Sequence, residues 1–80
     1  MVRVLLSGPA ERAARVLRDT GREVVLAGPG VSAAELAAAA IQEDVTAVAL
    51  VDADPSVDPA AVPDALAAYG AGDIVVFEAG

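Results

Sequence analysis

The sequence contains no cysteine, no histidine, no lysine and no tryptophan, and only one phenylalanine and one tyrosine. Without cysteine there is no disulfide framework, no thiolate metal site and no sulfur nucleophile. Without histidine the chain lacks the commonest general base and the commonest transition-metal ligand at once. Although 56% of the residues are hydrophobic, no apolar run reaches the ~18 residues of a membrane-spanning helix. Met1-Val2-Arg3 leads directly into a strand-like segment, with no separate apolar stretch and cleavage site of the kind a signal peptide carries. A cytoplasmic protein is expected. The length predicts a single domain over residues 1–80, in which only about 60–65% of the unfolded chain's surface can be buried.

Positive charge is missing from most of the chain. All five basic residues are arginines within the first 22 positions (Arg3, Arg12, Arg15, Arg18 and Arg22), beside only Glu11 and Asp19, and the remainder holds ten acids and no base. A net charge of −7 argues against nucleic acid, whose phosphates demand Lys or Arg. The asymmetry has two readings: a solvated arginine face on one helix with acidic loops elsewhere, or a dipolar surface that pairs with a partner or with itself, head to tail.

What is present is a regular alternation of strand-like and helix-like segments. Val2–Leu6 reads as a strand stopped by Ser7-Gly8-Pro9, with Pro9 at the first position of a helix and Ser7 or Gly8 near its cap. That helix spans roughly 10–20. Ala10, Ala13, Ala14 and Leu17 form its apolar face, Glu11 can pair with Arg15, and Gly21 ends it. Glu23–Ala27 is a second strand, closed by Gly28-Pro29-Gly30. Ser32 and Glu35 form a capping box that opens a helix to about Glu43, with Leu36, Ala40 and Ile41 inward. Val45–Val51 is a nearly unbroken apolar strand, the pattern of one covered on both faces. After the loop Asp52-Ala53-Asp54-Pro55, a helix at roughly 59–69 turns Val62, Leu66 and Tyr69 inward and keeps Pro63 in its first turn. Asp73 then precedes the strand Ile74–Phe77. Such alternation implies a parallel sheet with right-handed crossovers.

Three segments resemble the cobalamin-binding domain at the C-terminus of methylmalonyl-CoA mutase. Leu17-Arg18-Asp19-Thr20-Gly21-Arg22-Glu23-Val24 is similar to its helix-to-strand step. Ala40-Ile41-Gln42-Glu43-Asp44-Val45 is similar to its entry to the third strand, and Pro63 followed by Gly70–Phe77 to its last helix and "G-A-x-D-I-x-V-F" entry to the fourth. The resemblance spans nearly the whole chain and implies an α/β, flavodoxin-like parallel sheet of four strands in order 2-1-3-4 with three helices. It also implies the places where such domains hold cobalamin: a D-x-H-x-x-G loop, a Ser-x-Leu segment and a Gly-Gly stretch. Here those places read Ser7-Gly8-Pro9, Leu50-Val51-Asp52-Ala53 and Phe77-Glu78-Ala79-Gly80. The scaffold carries over and the cofactor does not, so no cobalamin and no other cofactor is expected.

In an open parallel sheet, ligands bind beyond the carboxyl ends of the strands at the switch point between strands one and three. That crevice would gather Ser7, Gly8, Asp52, Asp54 and Asp58. Its carboxylates suit Mg²⁺; equally, they suit turns and helix caps. Ser7 has no His or Lys to activate it, so the chain is not expected to be an enzyme on its own. Full-length relatives of the resembled family carry a fifth strand and a covering helix, and this sequence stops before both. One alternating set of side chains from Val45–Val51 and Ile74–Phe77 is therefore expected to be bare beside the first helix, with strand four an open edge. The candidate interface is Val48, Leu50, Ile74, Val75, Val76 and Phe77, for a protein partner or for self-association. The expected function is a small non-catalytic accessory subunit of an acyl-CoA enzyme complex. The alternative is a small-ligand or Mg²⁺-binding domain that uses the switch-point aspartates.

Overall fold

The computed structural model describes residues 2–28, 30–51 and 57–79. Along the chain run β1 (Arg3–Ser7), α1 (Glu11–Asp19), β2 (Glu23–Gly28), α2 (Ala33–Gln42), β3 (Ala47–Val51), α3 (Ala61–Ala68) and β4 (Val75–Ala79). The strands form one sheet in the order β2-β1-β3-β4, with every neighbouring pair parallel. This is the α/β, flavodoxin-like arrangement that the resemblance implies, with the parallel pairing that the alternation of segments predicts. Among the described residues no helix is long and apolar enough to cross a membrane.

The central strands β1 and β3 are buried on both faces, which is why each reads as an apolar run rather than an alternation. On one face Leu5, Val48 and Leu50 pack against Leu36, Ala37 and Ala40 of α2 and Val62 and Leu66 of α3. On the other face Val4, Leu6, Ala49 and Val51 pack against Ala10 and Ala14 at the start of α1. The second core is smaller because its helix contributes alanines, which let α1 lie close to the sheet. At the opposite end of the strands, the Arg3 guanidinium pairs with Glu23 at 2.8 Å and donates to the Glu43 carbonyl at 2.6 Å. One cation thus joins β1 to the edge strand β2 and satisfies a carbonyl at the C-terminus of α2, where positive charge is favoured.

Several local expectations change. The first strand runs through Ser7, because a register shift between Leu6 and Ser7 lets Ser7 pair with Gly28. The α1 helix accordingly starts at Glu11, with Ala10 as an N-cap that makes no side-chain cap hydrogen bond. Pro9 lies before the helix instead of at its first position. Glu11 and Arg15 form no ion pair among the described residues, where Arg3–Glu23 is the pair found. Ile41 is 41% exposed, since it sits about 90° around the helix from the Leu36–Ala37–Ala40 line. Tyr69 is 63% exposed as the C-cap of α3, where its hydroxyl remains in water. The Ser32–Glu35 capping box forms as expected, with both reciprocal hydrogen bonds at 3.2 Å.

Gly8 has φ +92°, and a Cβ there would run into the Val51 carbonyl oxygen. Gly8→Ala is expected to cost about 3 kcal/mol or more in chemical denaturation; wild-type stability in that variant would contradict the packed turn. At α2, the Ser32 hydroxyl, and then the Ser32 backbone N–H, hold the Glu35 carboxyl below its ordinary pKa. With the folded pKa depressed, this contribution to stability is present above the unfolded pKa and is lost as pH falls through the folded one. Ser32→Ala, which removes the hydroxyl and keeps the backbone N–H, should raise the Glu35 pKa toward its ordinary value by NMR and weaken that acid dependence.

Candidate functional site

Two regions need placing: the switch point at the carboxyl ends of β1 and β3, and the sheet surface near β4. At the switch point, Ser7 follows Leu5 by two residues and pairs with Leu50. It therefore faces the α2/α3 side. It is 1% exposed, and its hydroxyl makes no hydrogen bond among the described residues. Gly8, next in the chain, closes against the Val51 carbonyl. Asp52 and Asp54 lie outside the described residues. Asp58 accepts a hydrogen bond from the Ala60 backbone N–H at 3.0 Å, a turn-forming role ahead of α3. Among the described residues, no group of His, Cys, Asp or Glu side chains could hold a metal ion.

The surface near β4 is built by strand parity. The register pairs Ala47 with Val75 and Ala49 with Phe77, all on the α1 face, whereas Val48 pairs with Val76 and Leu50 with Glu78. Val75 and Phe77 are 59% and 42% exposed. Ile74 and Val76 are half-buried against the α2/α3 core, and Val48 and Leu50 lie inside that core. Val48 and Leu50 are thereby removed from the candidate interface, because their parity turns them under α2 and α3. Ile74 and Val76 join them on the covered face. The bare set contracts to Val75 and Phe77, with the half-buried Ala47 beside them.

The orientation of α1 bounds this strip. Glu11, Arg15, Arg18 and Asp19 line a shallow open groove of ≈ 360 Å³ together with Ala14 and Leu26 of β2. That places the charged flank of α1 over the β2 edge. At 100° per residue, Ala13 and Leu17 then fall on the opposite flank, toward β3 and β4, and Val16 points away from the sheet. Ala13 and Leu17 pack on the smaller core, and Val16 is 58% exposed. The α1 face thus presents Ala47, Val75 and Phe77 between α1 on one side and the open edge of β4 on the other. Val16 carries no motif. Only the phase of α1, set by Ala10 and Ala14 as its sheet-facing residues, shows that it lies on the outer side of the helix.

No protein-family model matches the chain, and no curated protein matches it. Ser7→Ala removes a buried hydroxyl that has no partner, and is expected to stabilise the fold by about 1 kcal/mol. A loss of stability in urea unfolding would mean that the Ser7 hydroxyl is satisfied in solution.

Proposed function

We propose that the chain is a non-catalytic, cobalamin-binding-domain-like module that docks a protein through its strand-four side, as a small accessory subunit of an acyl-CoA enzyme complex. The observation that carries the docking is the pair Val75 and Phe77, large apolar side chains held out of the core on a face where their neighbours in β1 and β3 are covered. Burying ~200 Å² of such surface at about 25 cal/mol per Å² is worth ~5 kcal/mol before the costs of association. In a domain of 80 residues that is comparable to the whole folding stability. The acyl-CoA part of the proposal comes from the resemblance to the mutase domain and from nothing else.

The residues present do not fit cobalamin. The chain has no imidazole to reach cobalt, and the turn after β1, where the resembled family carries its ligand loop, has no room for a side chain at Gly8 against the Val51 carbonyl. The non-catalytic reading is supported by the same turn: its hydroxyl, on Ser7, is buried and has no hydrogen-bond partner among the described residues. The Mg²⁺ reading depends on Asp52 and Asp54, and Asp58, the remaining carboxylate of that group, is already engaged by the backbone.

Tagged full-length chain and its Phe77→Asp variant, each purified from the native host, test the proposal. The wild-type chain is expected to bring down an acyl-CoA-metabolising enzyme, and the variant to lose it. Equal recovery with the variant would overturn docking through β4. A changed visible spectrum of added cobalamin, or a raised melting temperature with Mg²⁺, would overturn the non-cofactor reading.

A further inference from the structure

We draw no further inference here: the strongest candidate, the apolar surface of Val75 and Phe77 between α1 and the open edge of β4, carries none, because nothing in the structure shows what covers it.

Discussion

The parallel pairing of β1 with β3 is the contact on which the other elements depend. Both strands lie inside the sheet, and both must be covered on two faces. Four consecutive positions in each, Val4 to Ser7 and Val48 to Val51, are buried. At their carboxyl ends the strands come so close that only glycine fits the turn, where Gly8 meets the Val51 carbonyl. A hydrogen bond from the Gly8 N–H to the Gly28 carbonyl at 3.0 Å adds β2 to the same junction. This junction lies at the carboxyl ends of the strands, where such folds bind ligands.

Three helices cover this sheet unequally. The crossovers put α2 and α3 together on one face, over Leu5, Val48 and Leu50, and leave α1 alone on the other. A helix about 10 Å wide spans roughly two strands at their ~4.8 Å spacing, so α1 cannot also hide Val75 and Phe77. Exposure at β4 is thus a consequence of topology, and it would persist with any apolar side chains at those two positions. The sequence of α1 is suited to that surface: its charged flank faces the β2 edge and its apolar flank faces the strip.

The proposed docking role draws on how charge and apolar surface are distributed over the layers. The sequence holds no imidazole, thiolate or side-chain amine, and its carboxylates are its commonest ionisable groups. Its strongest physical asymmetries are an arginine-bearing helix on one layer, acids without bases on the opposite layer, and apolar area at one edge. In the proposed docking, burial would supply affinity and charge would supply orientation.

The order and type of the elements were decided by local sequence. Turn and cap residues such as Gly21 and the Ser32–Glu35 pair punctuate apolar runs whose period distinguishes strand from helix, and these signals act over a few residues. The β2-β1-β3-β4 order was legible as well, through the resemblance and the handedness rule that parallel strands obey. Which side chains would be bare was not legible at single-residue level. Val48 and Leu50 read as apolar strand residues no different from Val75 and Phe77; only the register, with Val48 opposite Val76 and Phe77 opposite Ala49, assigns them to opposite faces. Val16 and Ile41 likewise depend on the rotational phase of a helix against its sheet. Ser7 reads as a cap until the shift after Leu6 draws it into β1 and buries its hydroxyl. Local sequence determines what each segment becomes, because propensity and capping are short-range. Tertiary structure alone decides which face each residue shows, because a shift of one residue in a strand, or of 100° in a helix, exchanges buried for exposed at no local cost.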